Sequence, residues 1–195
     1  MSRKAEIKRK TAETDITVRV DLDGSGQGAI STGVGFFDHM LQQLAKHGLL
    51  DLEIEAKGDL HIDAHHTVED VGICLGSAIK QALGKKDGIR RFASKTVPMD
   101  ESLVLTSIDI SGRGSLGYDL NVEQEMIGEF PTDLVEEFFK AFTQNAGITV
   151  HIRKLAGANP HHTVEAAFKS FAQSLQEAVS ISDRIQGPPS TKGVL

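Results

Sequence analysis

The chain has 195 residues, which suits one large domain or two small ones fused without a linker. Hydrophobic residues make up 39% and charged residues 25%, an ordinary globular balance. The net charge of −6 argues against a nucleic-acid partner, and the lack of any run of about 18 apolar residues argues against a membrane span.

The start, Met1-Ser2-Arg3-Lys4-Ala5-Glu6, runs into further charge and lacks the apolar core of a secretory signal. Residues 13–22 predict a strand, with Ile16, Val18, Val20 and Leu22 alternating against polar neighbours. Gly24-Ser25-Gly26 predicts a turn into a second strand, making a hairpin. A helix is expected over about residues 36–47, with Phe37, Met40, Leu41 and Leu44 on one stripe and Gly48 as its terminating glycine. A third strand follows over 50–56, and after a loop a second helix runs from His65 to about Leu83. Its apolar stripe is Val68, Val71, Leu75, Ile79 and Ala82. The single cysteine, Cys74, lies in this helix and reads as a small buried hydrophobe; a reducing cytoplasm is the simplest compartment.

The second half repeats the plan, with strands near 101–110 and 114–120, a helix near 132–145, a strand at 148–154 and a helix at 162–179. The last helix has the stripe Val164, Phe168, Phe171, Leu175 and Val179. The two halves are also alike in sequence. Glu13-Thr14 and the strand after it resemble Glu101-Ser102 and its strand. Asp21 aligns with Asp109, 88 residues on, and His65 with His161, 96 residues on. The second half therefore carries an insertion, placed within 121–131. An internal repeat fixes the architecture: an α+β chain of two halves, 1–92 and 93–195. Each half has about three strands, and the helices pack between two sheets.

His-His-Thr-Val-Glu occurs twice, at 65–69 and 161–165, each time at the start of a predicted helix. Successive helical residues point about 100° apart, so two adjacent histidines cannot readily face one ion, whereas residues i and i+4 share a face. His65 with Glu69, and His161 with Glu165, can therefore share an ion while His66 and His162 face elsewhere. Imidazole and carboxylate without thiolate favour Mn, Fe, Co, Ni or Zn over Ca or Mg. Helix caps and surface histidines explain one such pair more easily than two. His39, near the start of the first helix, precedes its His-His pair by about 25 residues, and Glu137 stands at the matching place in the second half. His47 is helix-terminal, His61 lies in a loop and reads as a non-ligand, and His151 reads as a neighbour of the site. Lys169 is i+4 from Glu165 and so faces the same way. Arg113 replaces Ser25 in a Gly-x-Gly turn, where backbone amides and a guanidinium can take a phosphate.

Four segments together resemble the imidazoleglycerol-phosphate dehydratase family, from about Ile7 to Leu195. They are Phe37-Asp38-His39-Met40-Leu41 with Gln43 to Gly48, His65 to Asp70, Leu155 to Ala166, and Ser190-Thr191-Lys192-Gly193-Val194-Leu195. The resemblance implies halves of ribosomal-protein-S5-like character, a homo-oligomer of 24 subunits, and two Mn2+ per active site between subunits. It implies His39, His65, His66, Glu69, His161, His162 and Glu165 as metal ligands. An eighth comes from the helix that carries Glu137, where many members have histidine. It implies Glu13, His39, His47, Arg91, Arg113, Lys169, Thr191 and Lys192 as substrate contacts, the last two on a substrate-binding C-terminal tail.

The reaction implied is dehydration of a small-molecule phosphate, imidazole glycerol phosphate, to imidazole acetol phosphate through a metal-stabilised imidazolate, in histidine biosynthesis. Glu13, Glu69 and Glu165 are the carboxylates for proton transfer, with Glu13 the freest. A dinuclear metallohydrolase also uses histidine and carboxylate ligands, but no Asp-rich ligand motif is present. A metal-stapled structural oligomer leaves Arg113, Lys169 and Lys192 without a task.

Overall fold

In the computed structural model, which describes residues 3–195, the alternation at Ile16, Val18 and Val20 becomes the buried face of strand β2 (Thr14–Asp21). Met1 and Ser2, part of the N-terminal reading, lie outside the described residues. Strands β1 (Lys4–Lys10) and β4 (Asp51–Gly58) flank β2, both antiparallel to it, with Val18 opposite Ile7 on one side and Ile54 on the other. Strand β3 (Gly28–Ser31) lies beyond β4 and runs parallel to it, so the order is β1-β2-β4-β3. The second half has the same plan. Strands β5 (Phe92–Met99), β6 (Ser102–Asp109), β7 (Ser115–Asp119) and β10 (Thr149–Ala156) form a sheet of order β5-β6-β10-β7, again with one parallel edge pair. The segment 121–131, where the repeats differ in length, holds a small hairpin of β8 (Met126–Ile127) and β9 (Phe130–Pro131).

The expected hairpin between the first two strands does not form. Both edges of β2 are already paired, so β3 must go elsewhere. Its route is set by Asp51 at the start of β4, whose Oδ1 accepts from the N–H groups of Ser25 (2.8 Å) and Gln27 (3.0 Å). The turn runs so close that a Cβ on Gly24 would stand 2.3 Å from the Asp51 nitrogen. The chain thus crosses the end of β4 and pairs with its far side. Each sheet also has four strands rather than about three. The additional strands are β1, where of its seven residues only Ala5 is buried, and β5, where only Val97 is. Neither shows the apolar alternation that marks a strand in sequence.

Four helices fill the space between the sheets: α1 (Gly35–Gly48), α2 (His65–Leu83), α3 (Leu134–Ala146) and α4 (Pro160–Val179). Gly48 belongs to α1, and the left-handed residue that ends the helix is Leu49 (φ 51°), whose N–H bonds to the Ala45 carbonyl. Helix α2 covers the first sheet and α4 the second. The shorter helices cross over: α1 packs on α4 and α3 on α2. Phe37, Phe138, Phe139, Phe142, Phe168 and Phe171 fill this middle layer, all fully buried. Phe139 lies 4.9 Å from Phe168 and 5.1 Å from Phe171 between ring centres. Each such ring contributes roughly 1.5–3 kcal/mol by leaving water.

Two close approaches give tests. Backbone N–H groups of Gln27 and Ser25 hold the Asp51 carboxyl below its ordinary 3.8. A depressed folded pKa stabilises above the unfolded value and is lost as pH falls through the folded one. Asp51→Asn should therefore flatten the acid side of a melting-temperature profile below about pH 4 relative to the parent; an equal acid loss in both proteins would contradict it. After a bulge in β10 between Lys154 and Ala156, Gly157 has φ 105°, and a Cβ there would lie 2.2 Å from Ser102 Oγ. Gly157→Ala is expected to cost about 1–3 kcal/mol or more in urea unfolding, through overpacking and backbone strain together.

Candidate metal centre

The crossing of α1 onto α4 brings His39 to the start of the opposite half's long helix. His39 is aimed by its neighbour Asp38, whose Oδ1 accepts from both the N–H (2.9 Å) and the hydroxyl of Thr32 and so fixes the entry to α1. On α4, Pro160 occupies the first turn and the Asn159 side chain accepts from the His162 N–H at 3.2 Å, starting the helix at the His-His pair. His161 and Glu165, one turn apart, then face α1.

The result is a three-residue group. His39 Nε2 lies 3.2 Å and His161 Nε2 3.1 Å from the same oxygen, Glu165 Oε2. One ligand atom from each lies within 4.8 Å of the others, the only such cluster of three or more histidine, cysteine or acidic groups among the described residues. Lys169 Nζ sits 2.6 Å from the other carboxylate oxygen. Burial alone would raise the Glu165 carboxyl, but Lys169 and His39 outweigh it and leave the pKa below the ordinary value. His47, two turns along α1 from His39, is lowered by burial and then by Lys169, so it leans toward the neutral form. Phe36 packs edge-on against His161 at 5.2 Å and against Phe130 of β9 at 5.3 Å. These rings line a cavity of about 810 Å³ together with Val34, Met126 and Ile127.

The second histidine of each pair turns away, as the helical angle demands. His66 Nδ1 lies 3.0 and 3.2 Å from the two oxygens of Asp59, and His162 Nδ1 lies 2.8 Å from Glu101 Oε2. These carboxylates raise the pKa of their histidines. Glu101 is held at about 2, first by His162 and then by the Asn159 N–H. On the Nε2 side, Glu13 stands 3.9 Å from His66 and Asp100 3.7 Å from His162. Asp59, Asp100 and Glu101 were not marked by the motifs. The repeat alignment of Glu13 with Glu101 marks Glu101 alone; nothing in the sequence marks Asp59 or Asp100.

The first half's group is open. His65, whose N–H bonds to Asp63 (2.8 Å), and Glu69 are half-buried at the start of α2. Glu137, the counterpart of His39, bonds Lys140 at 3.4 Å and joins no ligand group among the described residues. The other basic residues named from the sequence make their contacts elsewhere. Arg91 (φ 72°) grips Asp109 at 2.7 and 3.3 Å, donates to the Pro189 carbonyl at 2.9 Å, and stacks on Phe92. Arg113 is exposed on its glycine turn, with only the Ser111 carbonyl at 3.4 Å. Thr191 and Lys192 are exposed on the tail that Pro189 begins. His151 lies on the exposed face of β10 against Gly117, and His61 is exposed in its loop. Cys74 is buried, its thiol pushed up to about 11, which leaves it unreactive.

The chain resembles known proteins along its whole length. It is 60% identical over 195 residues to the imidazoleglycerol-phosphate dehydratase of Acetivibrio thermocellus, with all of both chains covered. It is 58% identical to that of Caldanaerobacter subterraneus, covering 99% of this chain and 100% of the other. Crystal structures of imidazoleglycerol-phosphate dehydratases superpose closely. The Staphylococcus aureus protein gives a TM-score of 0.84 at 37% identity, covering 92% of this chain and 99% of that one. The Pyrococcus furiosus protein gives 0.83 at 38%, covering 97% and 100%. The sequence profile of imidazoleglycerol-phosphate dehydratase matches residues 32–175. With the profile spanning both histidine motifs and both pairs of crossed helices, the chain belongs to the imidazoleglycerol-phosphate dehydratase family.

Proposed function

We propose that this protein removes water from imidazole glycerol phosphate to give imidazole acetol phosphate in histidine biosynthesis. Family membership supports the reaction, and the relatives' names supply the substrate. The observation that carries it onto this chain is the His39–His161–Glu165 group with Lys169 on its carboxylate. The class is a hydro-lyase. A C–H and a C–OH bond on neighbouring carbons break, the hydrogen and hydroxyl depart as water, and the enol left behind becomes the ketone.

Two imidazole nitrogens and a carboxylate oxygen, without thiolate, fit manganese and its neighbours in the first transition row. His39, His161 and Glu165 would hold one Mn2+, and His65, Glu69 and Glu137 the second, with His66 and His162 serving neighbouring subunits. Bound there, the ions supply Lewis-acid stabilisation of charge on the substrate's imidazole. The remaining work falls to side chains. Glu13, exposed beside His66, is the proposed base for the C–H proton. Both oxygens of Glu165 are engaged, so it orients rather than abstracts, and Glu69 has the matching place on α2. Lys169, whose ammonium holds the Glu165 carboxylate, is the proposed contact for the substrate's hydroxyls, with His47 near it. Arg113, which has no carboxylate partner among the described residues, takes the phosphate together with Thr191 and Lys192. Arg91 anchors the tail that brings them.

Neither His66 nor His162 reaches the group within its own chain, which supports a homo-oligomer, the 24-mer of the family resemblance. The units proposed are the halves 1–92 and 93–195, working in the cytoplasm, in keeping with the buried lone thiol. No helix among the described residues is long and apolar enough to cross a membrane.

Protein stripped by chelator and reloaded with Mn2+ is expected to form the ketone without releasing inorganic phosphate. Phosphate release would instead indicate a hydrolase, and bound manganese without turnover a structural metal. Glu165→Ala removes the oxygen that both imidazoles approach, and should lower kcat/KM by about a hundredfold or more through misplaced groups. His66→Ala and His162→Ala should each lose metal and break the assembly. Full metal content with an unchanged sedimentation coefficient would refute that pair of expectations.

A further inference from the structure

The histidines of this chain are held in two different ways. His39 and His161 meet Glu165 through Nε2, and among the described residues neither has a carboxylate hydrogen-bonded to Nδ1. His66 and His162 are the reverse: each has an acidic side chain hydrogen-bonded on Nδ1, and on Nε2 only a carboxylate beyond hydrogen-bond reach among the described residues. An ionised carboxylate can only accept, so the proton of a neutral ring is drawn to Nδ1 and the lone pair is left on Nε2.

The two braces do not descend from one ancestral position. Asp59 lies in the loop after β4, seven residues before its histidine. Glu101 lies at the β5–β6 turn, 61 residues before His162, and its other oxygen bonds the Asn159 N–H at 3.0 Å. In the repeat, the residue opposite Glu101 is Glu13, which stands on the Nε2 side of His66, not the Nδ1 side. The same contact has thus been built twice from unrelated places, while the rest of the motif is repeated residue for residue.

We propose that Asp59 and Glu101 are positioning residues that fix His66 and His162 in the Nδ1-protonated form and aim Nε2 outward as a metal donor. This rests on the reading of those histidines as ligands. A carboxylate on the far nitrogen sets the ring's tautomer and rotation and strengthens the donor nitrogen. Asp59 is the cleaner case, because both of its oxygens serve His66 alone, whereas Glu101 also ties down the start of α4.

The test uses the full-length protein stripped of metal. Mn2+ binding is followed by the loss of the free-ion electron paramagnetic resonance signal, and the melting temperature of the metal-free form is measured alongside. Asp59→Asn is expected to weaken Mn2+ binding by about ten- to a hundredfold while the metal-free protein melts within a few degrees of the parent, with Asp59→Glu restoring most of the affinity. Unchanged affinity in Asp59→Asn overturns the proposal, as does a loss that merely follows a lowered melting temperature. Nitrogen-15 spectra of histidine-labelled parent protein decide the matter without any variant: His66 protonated on Nε2 overturns it. A parent that binds Mn2+ and makes ketone, beside a variant of equal affinity, removes this inference alone. A parent that binds no Mn2+ removes both it and the proposed function.

Discussion

The packing of each half's short helix on the other half's long helix is the constraint on which the rest depends. His39 is 126 residues from Glu165, yet they share an oxygen contact because α1 lies on α4. Six buried phenylalanines, five of them on α3 and α4 of the second half, fill the layer around that crossing. A duplicated chain whose halves each packed on their own helices would leave the histidine of α1 far from α4. The fold thus makes its His39–His161–Glu165 group by exchange between repeats, and the hydrophobic layer sets its geometry.

Symmetry of fold does not carry through to symmetry of site. On the α1–α4 side the group closes within one chain. On the α2–α3 side Glu137 stands where His39 would be, and Lys140 occupies it. Each helix start presents one histidine toward the crossing helix and one away, as the 100° step requires. The outward pair instead finds carboxylates in loops of its own half, Asp59 for His66 and Glu101 for His162.

What sequence could show follows the physics of each part. The helices and their apolar stripes were legible, since Val68, Val71, Leu75 and Ile79, like Val164, Phe168, Phe171 and Leu175, recur at helical spacing and are fully buried. The family motifs were legible as well, because they are long and repeated. Strands β1 and β5 were not, as edge strands with mostly exposed residues carry no two-residue period. The parallel course of β3 was not, because it is decided by Asp51, which grips a turn 24 to 26 residues earlier. Asp59 and Glu101 were not, because a single acidic residue in a loop has no pattern; only the folded chain puts it on a ring nitrogen.

Arg91 gives the tail a short leash. By holding the Pro189 carbonyl at 2.9 Å, it fixes the chain just two residues before Thr191 and three before Lys192. Three residues span at most about 11 Å, so the Lys192 backbone stays near that anchor; its N–H bonds the Ser190 hydroxyl at 3.2 Å, and the chain end at Leu195 lies beside Gly112. In polymer terms the tail is a tethered segment, and the local concentration of its side chains near the anchor is set by tether length rather than by affinity. Lengthening the chain between Pro189 and Lys192 dilutes the lysine's amine while leaving the Arg91–Asp109 pair in place.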